Sequence, residues 1–129
     1  MQRNSVAIVG AAESTHMGKL PEMAQIQIHA DSALNALADC GLTIKDIDGV
    51  ATAGHNAVEL AHYMGITPTW VDGTSDGCCS FMLHVRHAAA AIEAGLCNTA
   101  LITHGESGRH WIGRHGPSIF PSLFQMQFE

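Results

Sequence analysis

Trp70-Val-Asp-Gly-Thr-Ser-Asp-Gly-Cys-Cys-Ser-Phe-Met82 joins a strand, a sharp polar turn and a helix start with no spacer between them. Residues 69–72 read as the strand. Asp72 to Gly77 supply the turn, where Asp side chains commonly bond their own backbone. Residues 79–94 carry Phe81, Val85, Ala88 and Ile92 at helical spacing and stop at Gly95, so they predict a long helix. Either Cys78 or Cys79 then stands at a helix N-terminus, where unpaired N–H groups and the helix dipole stabilise an anion. A thiol so placed gains thiolate character, which nucleophilic catalysis requires. An inert thiol is the alternative, and the turn residues alone leave both open.

Working outward, the same strand-then-helix alternation recurs. Ser5-Val-Ala-Ile-Val-Gly-Ala-Ala12 is a continuous apolar run, as expected of a strand covered on both faces. Pro21 opens a helix whose Met23, Ile26, Ala30, Ala33, Leu34 and Leu37 form one stripe, with Gly41 as its C-cap. Residues 47–53 predict a second strand. Asn56 and Glu59 resemble a capping box for a short helix through Met64, and residues 99–104 predict a last strand ending at His104. The order βαβαβαβ implies an α/β fold with a layered parallel sheet. Residues 1–105 form this domain. Residues 106–129 lack a usable period and read as an irregular segment leading into a missing or docking region, with Phe120, Leu123, Phe124, Met126 and Phe128 as its large apolar groups.

Composition narrows the function classes. Apolar residues make up 47% of the 129 and charged residues only 14%, a balance that favours a buried core over disorder. Net charge is −6 and the six basic residues are scattered, so no surface is built to displace phosphate counterions from nucleic acid. Arg109 and Arg114 are the one place where an acidic cofactor would meet positive charge. No apolar run approaches the roughly 20 residues that span a bilayer. Cys40, Cys78, Cys79 and Cys97 form no CxxC pair and no secretory leader precedes them, so reduced thiols and a cytoplasmic location are expected.

Nine histidines invite a metal reading, with Cys78, Cys79, His84 and His87 as its ligands. Adjacent cysteines diverge, whereas zinc sites space them by about two to four residues. No metal site is therefore expected, and His84 beside an apolar stripe reads as a hydrogen-bonded core histidine. His104, at a strand's carboxyl end, is the weaker second candidate for the site. No Walker loop and no dinucleotide-binding glycine motif occurs.

Across residues 6–106 the chain resembles the opening of the thiolase superfamily, nearest its sterol-carrier or lipid-transfer-protein branch. The resemblance rests on Ala7-Ile-Val-Gly10, Ala38-Asp-Cys-Gly-Leu42, Asp46-Ile-Asp-Gly-Val50, Gly77-Cys-Cys-Ser80, Ile92-Glu-Ala-Gly-Leu96 and Gly105-Glu106. It implies an N-terminal portion of a thiolase-like fold, with acyl-CoA as substrate and no bound cofactor. Cys78 falls where the family's acyl-accepting cysteine stands, with Cys79 beside it as fallback. The elbow departs from the catalytic pattern, because Cys79-Ser80-Phe81 follows where thiolases carry small residues and Gly-Ser. It is closer to relatives with a Gly-Gly-Ser-Ser run, some of which act as carbon–carbon lyases or beside a small zinc-ribbon partner. The family's acid/base histidines lie in a C-terminal half that these residues do not include, so the isolated chain is expected to be inactive. A homodimer is the expected assembly, and a non-catalytic assembly module is the reading from another class.

Overall fold

The computed structural model describes residues 5–105, the side chain of Cys78 excepted. The segment 106–129, with Arg109, Arg114 and the apolar groups at 120–128, lies outside the described residues.

Three parallel strands make the sheet: β1 (Gly49–Ala53), β2 (Trp70–Asp72) and β3 (Ala100–His104), in the order β2-β1-β3. Strand β1 is buried along its whole length, as the central position demands. Its first residue is glycine because a Cβ there would lie 2.9 Å from Cys97 Sγ and 3.2 Å from the Trp70 ring. The entry into the sheet is tied by Asp48. Its carboxylate accepts the Asn98 and Thr99 backbone N–H groups at 2.8 Å and the Asn98 side-chain amide at 2.7 Å. Burial alone would raise the Asp48 pKa, but these hydrogen bonds outweigh it and hold the carboxyl below the ordinary range.

Helices α1 (Gln25–Cys40) and α2 (Ala57–Met64) pack together over one face, around Ala33, Leu37, Val50, Leu60 and Leu101. Helix α3 (Ser80–Glu93) covers the strands from the other side. The layered α/β order expected from the sequence is therefore present. Asn56 caps α2, its Oδ1 accepting from Val58 N and Glu59 N at 2.9 and 3.1 Å, and Gly41 terminates α1 in the left-handed region at φ 73°.

Two expectations need correction. Helix α1 begins at Gln25 rather than at Pro21, which sits in a turn closed by Met23 N–H to Leu20 O at 3.2 Å. Gln27 supplies the start signal by accepting the Ala24 N–H at 2.7 Å, a reciprocal contact across one turn that side-chain hydrophobicity does not reveal. The run 5–12 joins no strand ladder among the described residues. It is instead tied to the helices: Ser5 Oγ donates to Glu93 at 2.5 Å, and Ala11 N to Asp39 at 3.1 Å. Gly10 presses on α1, where a Cβ would lie 2.5 Å from Ala36 O.

Candidate functional site

The turn between β2 and α3 is built by side chains that reach back from the helix. Asp72, the last residue of β2, accepts Thr74 N at 2.9 Å and Thr74 Oγ1 at 2.7 Å through one oxygen, and meets His87 Nδ1 at 2.6 Å through the other. Burial by itself would raise the Asp72 pKa, but the Thr74 and His87 hydrogen bonds prevail and keep the carboxyl low. One turn nearer the elbow, fully buried His84 donates Nε2–H to Thr74 O at 2.9 Å. Ser80, also fully buried, accepts Asp76 N at 2.8 Å and donates to Gly77 O at 2.7 Å. The face α3 buries is thus Ser80, His84, Ala88 and Ala91, one step round from the expected stripe. His84 and His87 each spend a ring nitrogen on this turn. Among the described residues, no group of three or more His, Cys, Asp or Glu side chains is arranged to hold a metal.

Gly77 turns the chain at φ 74°, and Gly77–Cys79 form one turn of 3-10 helix that continues directly into α3. The backbone of Cys78 is the middle residue of that turn. Cys79 is exposed and its thiol points back to Asp76 O at 3.4 Å. His104 ends β3 and is exposed, its ring edge-on to Phe81 with centroids 5.7 Å apart. That contact brings the carboxyl end of β3 to the first turn of α3. Cys97 is buried, and burial pushes its thiol pKa up, with Asp48 adding to the effect. Cys40 lies half-buried on α1.

Sequence reading missed a second polar cluster, at the carboxyl ends of β1 and β3. His29 from α1 is fully buried between them. Its Nε2 donates to Gly105 O at 3.0 Å, and its Nδ1 lies 2.8 Å from Thr103 Oγ1 and 3.1 Å from Thr52 Oγ1. Thr103 Oγ1 donates to Thr52 Oγ1 at 3.0 Å, and the Gln25 amide donates to both Gly54 O and Gly105 O. Burial drives the His29 pKa from 6.5 down to about 4, although the Gly105 hydrogen bond opposes it; His55 and His104 add smaller repulsions. The signal in the sequence was a Gln and a His four apart on the helix stripe and a Thr in each facing strand. A period count reads those residues only as interruptions.

These layers, this strand order and a helix that starts on the cysteine turn define a thiolase-like α/β fold, and solved structures of that fold superpose on the chain. No protein-family model and no curated protein matches the sequence. The aldolase Ltp2-ChsH2(DUF35) superposes with a TM-score of 0.71 at 24% identity, covering 80% of this chain and 28% of that one. A monomeric SCP2-thiolase-like protein type 1 from Mycobacterium smegmatis gives 0.65 at 23% identity, with 79% and 23% covered. A Cys-to-Ser variant of Xanthomonas campestris OleA, solved with lauric acid and lauroyl-CoA, gives 0.60 at 19% identity, with 68% and 29% covered. The chain spans less than a third of each of these proteins. The likeness is one of fold. Among the described residues no helix is long and apolar enough to cross a membrane.

Proposed function

We propose that these residues form the acyl-accepting part of a cytoplasmic thiolase-type enzyme, with Cys78 as the nucleophile. The observation that carries the reading is the backbone of Cys78 at the centre of a Gly77-led turn that runs without a break into α3. A thiolate there would attack the carbonyl carbon of an acyl-CoA. The thioester C–S bond then breaks, and coenzyme A leaves as its thiolate and takes up a proton. Backbone N–H groups at the helix start would stabilise the oxyanion. His104, held by Phe81 near that first turn, is the described residue best placed to polarise the thioester. OleA was solved with lauroyl-CoA, which supports an acyl-CoA as the substrate class. Turnover needs acid and base groups from outside residues 5–105, so acylation rather than turnover is the activity to seek in this chain.

A second reading is a carbon–carbon lyase in which Cys78 is not acylated and a small zinc-ribbon protein completes the enzyme. It draws support from the aldolase that superposes at 0.71, whose name pairs a thiolase-like chain with a DUF35 component. A homodimer is compatible with either.

Peptide-resolved mass spectrometry after incubation with a panel of acyl-CoA thioesters separates the two. Acylation confined to Cys78, with iodoacetamide reaching it well below the ~8.5 of a free thiol, supports the first. Equal reactivity at all four cysteines with no acyl adduct refutes it, and the Cys78→Ala variant of a complete enzyme would then retain activity.

A further inference from the structure

The two residues that flank His104 in the chain are held by one buried ring. His29 Nδ1 lies 2.8 Å from the hydroxyl of Thr103, and its Nε2 donates to the carbonyl of Gly105 at 3.0 Å. The Gln25 amide, one turn earlier on α1, donates to the same carbonyl at 2.9 Å. Gly105 passes so close to the ring that a Cβ there would lie 3.1 Å from His29 Nε2. Between these anchors the strand alternates: Thr103 is buried, whereas His104 is exposed and turns to the other face. There its ring meets Phe81, in the first turn of α3, nearly at right angles.

The end of a strand is ordinarily where fraying starts, and an exposed imidazole there samples several rotamers. A group that polarises a carbonyl has to be held within a fraction of an ångström of its working position. One edge-on ring contact does not hold it so; a clamp on the backbone at both sides of the residue does. Burial keeps His29 neutral at ordinary pH, so the clamp sets no charge beside His104. We propose that His29, assisted by Gln25, is a positioning residue for His104: it fixes the chain on both sides of that histidine and presents its ring to a thioester held at the cysteine turn. The proposal rests on the acyl-accepting reading of that turn.

Two readouts on the 129-residue chain test it. In NMR spectra the His104 ring protons should carry a ring-current shift that Phe81→Leu abolishes. His29→Leu should remove most of that shift and leave the His87 ring signals in place. Thr103→Val, which keeps the side-chain shape and deletes only the hydroxyl, should reduce it too, and decides the question if His29→Leu does not fold. The rate of Cys78 acylation by lauroyl-CoA should fall on the order of 10- to 100-fold in His29→Leu, yet His29→Leu should change nothing in a His104→Ala background. An unchanged ring shift in the folded variants overturns the proposal. Equal losses of rate with and without His104 overturn it too, since His29 would then act through the fold alone. A wild-type chain that is never acylated refutes the acyl-accepting reading instead; the ring shift, lost or kept, then upholds or overturns the clamp on His104.

Discussion

Two polar clusters sit at the carboxyl ends of the parallel strands, and they differ in what surrounds them. Around His29, Gln25, Thr52 and Thr103 are enclosed, and both ring nitrogens are within hydrogen-bond distance of partners. Around Asp72, His84 is enclosed, but His87 is 44% exposed and the Cys79 thiol faces solvent. Low dielectric makes each unmet bond in the first cluster expensive, so that cluster can only be a fixed joint between α1, β1 and β3. Water can replace the His87–Asp72 bond in the second at little cost. The difference teaches where this fold tolerates adjustment: on the cysteine side, and not on the His29 side.

The sharpest break of that contrast is His29→Ala. It leaves two hydroxyls and the Gly105 carbonyl short of partners and opens a void, so it should cost about 3 to 5 kcal/mol in urea unfolding. A loss under about 1 kcal/mol would mean that the joint holds nothing.

Acid should probe the same residue. The folded His29 value, about 4, lies below the ordinary 6.5, so the unfolded chain takes up the proton first as pH falls. Stability should therefore decline from about pH 6.5 to about 4 and then level off for this group, by roughly 3 kcal/mol in all. Asp72 acts in the same direction but in a lower pH window. Its low folded value contributes stability present above the ordinary 3.8 and lost only as pH falls below it. Melting curves of His29→Gln should lack the first decline and keep the second.

Glycine substitutions give a smaller contrast. Gly54, at φ 90°, has no room for a Cβ, which would run into Gly105 O beside the His29 joint. Gly77, at φ 74°, has open space around it. Gly77→Ala should cost about 1 kcal/mol of backbone strain, and Gly54→Ala distinctly more, by thermal unfolding. Equal costs would show the two ends to be equally packed.

The smallest effect belongs to His87→Ala. A half-exposed pair with Asp72 contributes under about 1 kcal/mol, and less in high salt. A larger loss, measured by urea unfolding at two salt concentrations, would place His87 with the fixed joint rather than the adjustable turn.

Much of this was legible in the sequence. Gly41 and Gly95 end their helices as glycine after an apolar stripe should, and Asn56 caps as an amide at that position should. Strands β1, β2 and β3 fall within the segments their composition marked. The cysteine turn was legible because Gly77 and the Asp-rich stretch before it permit few backbone paths. The His29 joint was not, since Gln25, His29, Thr52 and Thr103 are up to 78 positions apart and each is unremarkable alone.

The sequence by itself determined β1 to β3 and the ends of the helices, the parallel α/β class and the placing of a cysteine pair where a helix starts, because period, caps and turn residues act over a few neighbours. Only the tertiary structure decided that His84 and His87 brace the turn, that His104 meets Phe81, and that a cavity separates residues 5–12 from β3. Those outcomes depend on which helix face meets which strand edge, and that is settled by packing between segments that no local pattern connects.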